Sequence, residues 1–371
     1  MELRYRLEDS SDIVSPGLVI VREHVVENLR RMLRIAGNPT RLRPHCKTHK
    51  MSAITRIELA MGITKHKCAT FAEAEMLAGA GVVDIVLAYN LVGPNIARAV
   101  RFRERFPDVR LAVTGDHPRP VAELGAAMHA AGTSIEVLLD VDTGQHRTGI
   151  PAGDAAVALY ASIAETDGVE PGGLHVYDGQ NHQADPAERA RAVDAVWSSA
   201  RGLRDGLVAR GLPVPRIVAG GTGSFPIWAR VDDPSIELSP GTCVLHDAGY
   251  AEMFPDLDFL PAALILTRVI SLPGEGRVTV DLGYKACASD PPAGARLAFP
   301  ELPDAREVLQ NEEHLVLETE AARRLRPGDA LLAVPVHACP TSALHKEAFV
   351  VEHGRLVERW PVEARDRWLT I

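Results

Sequence analysis

The chain has 371 residues, of which 46% are hydrophobic and 24% charged, a composition typical of a soluble globular protein. Its formal net charge of −9 argues against a nucleic-acid-binding role, which normally requires a basic face. The charged N-terminus and the short apolar stretch at residues 259–266 predict neither a secretory signal nor a membrane span.

The cysteine content bears on the cellular compartment. Five cysteines stand at the scattered positions 46, 68, 243, 287 and 339. Because an odd count with irregular spacing does not suggest a disulfide framework, we expect a protein of the reducing cytoplasm. The length exceeds that of a usual single domain, so we expect one large domain and a smaller one.

From about residue 40 to residue 245 the chain alternates short apolar runs with segments of helical spacing, such as 72–80 and 187–209. The apolar runs predict strands at 42–45, 65–69, 84–89, 110–114, 134–141, 173–177, 216–219 and 236–238. Strands separated by helices indicate parallel βαβ units. These eight runs therefore predict an α/β fold, a (β/α)8 TIM-type barrel over residues 31–245, with its active site at the C-terminal strand ends.

Beyond residue 245 the pattern changes to short strands linked by Pro/Gly turns. The predicted strands are 262–270, 277–281, 314–318, 330–336 and 348–351. They predict a mainly antiparallel β domain over residues 246–371. The segment 1–30, with a candidate strand at 18–21, is predicted to join this domain, and the run 286–303, rich in Pro, Ala and Gly, is predicted to be an exposed loop.

Residues 43–50, Arg-Pro-His-Cys-Lys-Thr-His-Lys, place Lys47 at the end of the first predicted barrel strand. An amine at that position points into the mouth of the barrel. There, partial burial favours the neutral form that attacks a carbonyl carbon to give an imine. A solvated surface lysine is the alternative interpretation.

This segment resembles the cofactor-lysine motif of the D-threonine aldolase/D-serine dehydratase family, which shares the alanine-racemase fold. The resemblance extends along nearly the whole chain through four further motifs. They are Asp-Thr-Gly-Gln-His-Arg-Thr-Gly at 142–149, Gly-Gly-Thr-Gly-Ser at 220–224, Glu-Leu-Ser-Pro-Gly-Thr at 237–242 and His-Ala-Cys-Pro-Thr at 337–341. The resemblance implies an alanine-racemase-like enzyme in which Lys47 holds pyridoxal 5'-phosphate (PLP) as a Schiff base.

The glycine-rich motif follows the seventh predicted strand, a position at which barrels often bind phosphate. Its glycines allow backbone N–H groups to converge on an anion, and two hydroxyls add further donors. The candidate phosphate ligands are Gly221, Thr222, Gly223 and Ser224. A turn without a ligand is the alternative.

Three more residues are candidates for contacts with the cofactor. In the family the arginine matching Arg147 faces the phenolic oxygen of PLP, a role that suits a permanently charged donor; a surface ion pair is the alternative. Tyr177, at the end of the sixth predicted strand, is predicted to bond to or stack on the pyridine ring. His175 shares a strand face with Tyr177 and is predicted to line the same pocket, unless it is a core histidine with internal partners.

A candidate metal pair follows the predicted strand at 331–336. Residues i and i+2 of an extended chain project from one face, so His337 and Cys339 can meet one ion, and Pro340 is predicted to end the strand. The resemblance implies that these two residues bind a divalent metal. Thiolate with imidazole favours Zn²⁺, with Mn²⁺ and Mg²⁺ as alternatives.

The resemblance implies a PLP- and divalent-metal-dependent lyase of D-β-hydroxy-α-amino acids, D-threonine aldolase type, with Lys47, His337 and Cys339 as catalytic residues. It also implies a homodimer. The family's dehydratases tend to have cysteine at the second ligand position and its aldolases aspartate, so Cys339 leans towards a D-serine or D-3-hydroxyaspartate dehydratase. Residues 341–346 also depart from the commoner family form, which leaves the substrate open.

Two further functions are alternatives. An amino-acid racemase would need a second base on the opposite face of the cofactor and no metal. A non-catalytic PLP carrier would resemble single-barrel proteins that lack a second domain. For each of these functions the partner is a small molecule, and we expect neither a nucleic acid nor a membrane to bind.

Overall fold

The computed structural model describes residues 5, 7–367 and 370–371. These divide into two compact units. The barrel unit comprises residues 32–47 and 55–241 with the described residues of 367–371, and the β unit comprises the described residues of 1–31 with 48–54 and 242–366. Residues 1–4 and 6 of the predicted segment 1–30, and residues 368–369 of the predicted domain 246–371, lie outside the described residues.

The strands of the described chain are numbered in chain order. They are β1 Gly17–Val21, β2 Lys65–Cys68, β3 Asp84–Asn90, β4 Arg110–Gly115, β5 Ile135–Asp142, β6 Ile150–Pro151, β7 Val169–Val176, β8 Ile217–Ala219, β9 Ile236–Leu238, β10 Ala263–Gly274, β11 Arg277–Val280, β12 Leu297–Ala298, β13 Arg306–Gln310, β14 Leu315–Glu318, β15 Ala330–Pro335, β16 Glu347–Glu352 and β17 Arg355–Pro361.

The α-helices are numbered in the same way. They are α1 Arg22–Ala36, α2 Ser52–Ala60, α3 Phe71–Ala80, α4 Pro94–Arg105, α5 Pro118–Ala130, α6 Asp154–Glu165, α7 Pro186–Val208, α8 Phe225–Trp228, α9 Ala248–Met253 and α10 Ala338–Leu344. Short 3-10 helices span Pro39–Arg41, Cys46–Thr48, Thr242–Val244 and Glu320–Arg323.

The barrel unit contains a curled parallel sheet in the order β2-β3-β4-β5-β7-β8-β9, with β6 beside β5. The segment 42–45 connects its two edge strands. The amide of Arg43 donates to the carbonyl of Leu238 at 2.8 Å, and the amide of Lys67 donates to the carbonyl of Pro44 at 2.8 Å. Parallel strands alternating with helices confirm the predicted α/β barrel. Seven of the eight runs predicted as barrel strands overlap a strand of this sheet, and the first, 42–45, forms the connecting segment.

Local sequence explains where the barrel helices begin and end. Thr70 caps α3 by accepting a hydrogen bond from the amide of Glu73, and Gly81 ends the helix with a left-handed φ of +103°. Asp185 caps α7 ahead of Pro186, whose missing N–H costs nothing in the first turn. These signals fix the helices that return the chain to the start of each following strand.

Charged side chains inside the barrel form a compensated layer. The side chain of Arg43 is fully buried, and its guanidinium lies 2.6 Å from Glu237 and 2.8 Å from Asp84. Lys65 on β2 adds a second ion pair to Glu237, at 2.6 Å. Buried charges are tolerated when they are paired in this way. An apolar layer also crosses the barrel and consists of Val86, Ala112, Leu138 and Val218.

The β unit contains a sheet in the order β13-β14-β11-β10-β1-β16-β17, with β15 beside β10 and β12 beside β15. Its strand pairs are antiparallel except β1 with β16. The predicted mainly antiparallel architecture is therefore confirmed. The candidate strand at 18–21 lies in β1, which pairs with β10 and β16.

The prediction of an exposed loop at 286–303 holds for residues 289–295, which lie outside the helices and strands and are mostly exposed, but it is wrong for the residues on either side. Cys287, Phe299 and Leu302 are buried in the apolar core of the β unit, and β12 lies within the run. The high content of Pro, Ala and Gly suggested a loop, although the run also contains the apolar residues Cys287, Phe299 and Leu302. Strands β13 and β17 were not predicted because most of their residues are polar or exposed.

In the part of the chain that the structure describes, no helix combines the length and the apolar character needed to cross a membrane.

Candidate active site

Lys47 lies in the 3-10 turn Cys46–Thr48, directly after the segment that connects the two edges of the barrel sheet. Its backbone amide donates to Nδ1 of His45 at 3.2 Å, which fixes the turn. The residue is exposed. The turn leaves Lys47 more exposed than its neighbours Cys46 and Thr48, which are buried.

The buried amine of the barrel belongs to Lys67, which none of the sequence motifs contains. Lys67 is the third residue of β2 and is 2% exposed. Burial, reinforced by the charge of Lys47, lowers the pKa of the Lys67 amine to about 7. The sequence places Lys67 in the predicted strand 65–69 but does not show which face of that strand it lies on.

Tyr177 follows β7, and its ring is the point where several candidate residues meet. The guanidinium carbon of Arg147 lies 5.1 Å from the ring centre, and the Lys67 amine lies 5.7 Å from it. The glycine-rich loop approaches the same ring, because a Cβ added to Gly221 would lie 3.0 Å from Cε2 of Tyr177. The structure thus brings Arg147, Tyr177 and Gly221 together.

His175 is buried and bonded on one side only. Its Nδ1 lies 2.7 Å from Oδ1 of Asp140, and its Nε2 has no partner among the described residues. Burial lowers the pKa of His175 although Asp140 opposes this effect, and the neutral ring donates Nδ1–H to the carboxylate. Nε2 is then a buried acceptor, which distinguishes His175 from a core histidine with both nitrogens satisfied.

Asp178 holds the glycine-rich loop in place through a hydrogen bond from Ser224. Ser224 donates its hydroxyl to Asp178 at 2.7 Å and accepts a hydrogen bond from the amide of Gly221 at 3.0 Å. The expectation that the Ser224 hydroxyl donates to a phosphate is therefore wrong in this structure, because its single proton is directed at Asp178. Thr222 accepts from the amide of Gly241 at 3.4 Å.

The backbone of the loop retains the donors that an anion needs. Among the described residues, the amides of Gly223 and Ser224 make no hydrogen bond to the protein. Gly220 begins the loop with a φ of +81°, a conformation that glycine adopts readily. Backbone N–H groups of this kind, with cations nearby, suit a phosphorylated aromatic group. The residues of the barrel unit fit PLP.

In the β unit, His337 and Cys339 lie at the start of a helix and not on an extended strand. β15 ends at Pro335, His337 is the residue before α10, and Cys339 is in the first turn of that helix. The predicted extended geometry is therefore wrong. Pro340 does not end a strand but lies in the first helical turn, where its missing N–H is tolerated.

The two side chains are nevertheless close. Burial disfavours the charged form of His337, but its hydrogen bonds to Cys339 and Asp290 outweigh that effect and raise its pKa to about 9. Nδ1 of His337 lies 2.5 Å from Asp290, and Sγ of Cys339 lies 3.2 Å from Oγ1 of Thr48. An imidazole and a thiolate with a carboxylate beside them are a donor set that fits a divalent metal.

Asp247 supports this helix start. Its carboxylate accepts a hydrogen bond from the amide of Ala338 at 2.9 Å and from that of Tyr250 at 2.9 Å. Burial raises the pKa of Asp247 to about 6. Asp247 lies far from the candidate metal pair in the chain, so the sequence gives no sign that the two are neighbours.

A second group of potential metal ligands lies in the barrel unit. Atoms of His45, Cys46 and Glu73 lie within 4.8 Å of one another. Glu73 accepts the amide of Ala69 at 2.6 Å, and the Cys46 thiol points to it at 3.9 Å. These contacts hold the junction between β2 and α3.

Comparison with known proteins identifies the family to which the chain is related. The family model of the alanine racemase N-terminal domain matches residues 20–246, and that of a putative serine dehydratase domain matches residues 262–351. The chain is 31% identical to the D-threonine aldolase of Arthrobacter sp. over 359 residues, 95% of this chain and 92% of that protein. It is 26% identical to the D-threo-3-hydroxyaspartate dehydratase of Delftia sp. (strain HT23) over 351 residues, 89% of this chain and 92% of that protein. The crystal structure of D-threonine aldolase from Filomicrobium marinum matches with a TM-score of 0.87 and 30% identity, covering 95% of this chain and 96% of that chain.

Proposed function

This chain belongs to the D-threonine aldolase family of alanine-racemase-like proteins, and from this premise we propose that it is a PLP- and divalent-metal-dependent lyase. Its substrates are D-β-hydroxy-α-amino acids, and its reaction is of the D-threonine aldolase type. The observation that carries the proposal is the grouping of Arg147 and the glycine-rich loop around Tyr177, beside the half-bonded His175.

In this proposal the barrel residues bind and orient the cofactor. Lys47 would hold it covalently, and Arg147 would donate to its ring oxygen. The amides of residues 221–224 hold the phosphate, while Asp178 keeps their loop in place through Ser224. Bound PLP supplies an electron sink for a bond at the substrate Cα.

His337 and Cys339 would hold the metal, which would supply Lewis-acid chemistry for the substrate hydroxyl. Asp290 orients the imidazole through Nδ1, so that Nε2 is the nitrogen available to an ion. Asp247 fixes the backbone of Ala338, which lies between the two ligands. The thiolate supports the assignment to Zn²⁺, with Mn²⁺ and Mg²⁺ as alternatives.

A dehydratase is the second candidate, and Cys339 is the observation that favours it. In retro-aldol cleavage the β-hydroxyl loses its proton, the Cα–Cβ bond breaks, an aldehyde leaves and Cα gains a proton to give glycine. In dehydration Cα loses its proton and hydroxide leaves Cβ, and the resulting enamine hydrolyses to a keto acid and ammonia. The same donor set serves both reactions.

Product analysis with D-threonine separates the two candidates. The holoenzyme with added Zn²⁺ or Mn²⁺ is expected to form equal amounts of glycine and acetaldehyde, and a chelator is expected to abolish the reaction. Formation of a keto acid and ammonia would show that the activity is that of a dehydratase and not that of an aldolase. Racemisation that survives the chelator would indicate a racemase, and bound PLP without turnover of D-threonine or D-serine would indicate a carrier.

We also propose that the protein is a cytoplasmic homodimer. All five cysteines are free thiols, which is consistent with a reducing compartment. Sedimentation of the purified holoenzyme, which should give twice the mass of one chain, tests the assembly.

A further inference from the structure

Lys67 is a buried lysine whose amine has no ion pair or hydrogen bond among the described residues, although it is only 2% exposed. Lys65 precedes it by two residues on β2 and provides the contrast, because its amine bonds to Glu237 at 2.6 Å. Lysines are almost never fully buried unless they are paired. The barrel therefore contains a buried amine that has no direct ion pair with a carboxylate of the described residues.

The carboxylates that attract Lys67 are bonded elsewhere. Asp140 receives the imidazole N–H of His175 at 2.7 Å. Asp178 receives the Ser224 hydroxyl at 2.7 Å and the indole N–H of Trp228 at 2.8 Å. Both act on Lys67 through space, but neither forms an ion pair with it.

The surroundings of Lys67 are rich in positive charge. Lys47 repels it through space, and Arg147 lies over the same Tyr177 ring, at 5.1 Å compared with 5.7 Å for Lys67. Lys67 is buried whereas Lys47 and Arg147 are exposed, and none of the three forms an ion pair among the described residues. Together they create a positive potential beside the Tyr177 ring. The most favourable occupant of such a place is an anionic oxygen that can accept a charge-assisted hydrogen bond.

We propose that Lys67 is a positioning residue for the reaction: its amine and the guanidinium of Arg147 together bind one anionic oxygen beside Tyr177. The inference rests on the proposed function, which supplies two oxygens of this chemistry. One is the ring oxygen of PLP, and the other belongs to the carboxylate of the amino-acid substrate. Lys67 is not the residue that bonds covalently to the cofactor.

The test compares Lys67→Met with the wild-type protein and with two control variants. Lys67→Arg retains the charge, and Lys65→Met removes a lysine of the same strand face that is already paired. PLP is titrated into the cofactor-free proteins, and the dissociation constant is read from the absorbance of the bound cofactor. KM and kcat for D-threonine are then measured on the loaded proteins.

The two sources of the oxygen give different results. If the cofactor supplies it, Lys67→Met weakens PLP binding about tenfold, the lower range for a hydrogen bond to a charged group. The wild-type preference for PLP over 3-O-methylpyridoxal phosphate is then also reduced, and the donor that remains is Arg147. If the substrate supplies it, PLP binding is unchanged and KM rises about tenfold with kcat nearly constant. In either case Lys67→Arg keeps the affected constant, the PLP dissociation constant or KM, close to its wild-type value. Lys65→Met behaves like the wild type.

Unchanged PLP affinity together with unchanged KM in Lys67→Met would overturn the inference while leaving the proposed function intact. Borohydride fixation of the cofactor on Lys67 would also overturn it. Failure of the wild-type protein to bind PLP would overturn both proposals. Lys67→Gln, which keeps a neutral donor of similar size, answers the same question if the methionine variant does not fold.

Discussion

The hydroxyl of Ser224 donates a hydrogen bond to the buried carboxylate of Asp178 at 2.7 Å and accepts one from the amide of Gly221 at 3.0 Å. Ser224 therefore joins the glycine-rich loop to the interior of the barrel unit. Under the proposed function, Ser224 would contribute to cofactor binding by holding backbone amides in place for the phosphate.

Ser224→Ala is expected to weaken PLP binding about fivefold, because a buried hydrogen bond of this kind contributes about 1 kcal/mol. Binding of pyridoxal, which lacks the phosphate, should change little. Titration of the cofactor-free protein with both compounds provides the measurement. Ser235→Ala, which removes a hydroxyl bonded to Asp233, is the control. An equal loss for the two compounds would contradict a role in holding the phosphate.

Lys67→Met is expected to stabilise the cofactor-free protein below pH 7. The pKa of Lys67 is about 7 in the folded chain, compared with about 10.4 for a lysine in an unfolded one, so the folded state binds this proton more weakly. Below pH 7 both states hold the proton, and burial of the charge costs up to about 5 kcal/mol. Between pH 7 and pH 10.4 only the unfolded chain holds it, so the free energy of unfolding of the wild type rises with pH.

Urea unfolding of both proteins from pH 6 to pH 10 checks this expectation. The groups that set the titration are Lys47 and Arg43, which oppose the charge, and Asp140 and Asp178, which favour it. The advantage of Lys67→Met should be greatest at pH 6 and should shrink as the pH rises. A difference that does not depend on pH would show that the amine is not held at a low pKa.

His337→Ala and Cys339→Ala are each expected to lose the metal and the metal-dependent activity. Removal of one of two protein ligands leaves too few donors for a stable site, so the metal content should fall from about one ion per chain to nearly zero. Elemental analysis after dialysis measures this. Cys287→Ala, which removes a buried thiol of the same unit, should retain its metal. Full metal content in Cys339→Ala would exclude the thiolate as a ligand.

The barrel was predictable because its strands are short apolar runs at βαβ spacing, and the motifs placed Arg147, Tyr177 and the glycine-rich loop at strand ends. The burial of Lys67 was not predictable. The sequence places this lysine in a strand but does not show which face of the strand it lies on or whether its amine has a partner. The sequence of residues 337–341 gives no clear sign of a helix start, since proline ends strands and also occupies the first turn of helices. Asp247 and Asp290 approach the metal pair only through the tertiary fold.

Borohydride reduction of the PLP-loaded wild-type protein, followed by tryptic mapping, tests the central assignment most directly. Modified Lys47 is not cleaved by trypsin and Pro44 protects Arg43, so the label should appear in the peptide 42–50. Label on Lys67 would appear instead in the peptide 66–98. The account predicts a yellow protein labelled in the first peptide and a colourless Lys47→Ala variant. A colourless wild-type protein, or label in the second peptide, would contradict it.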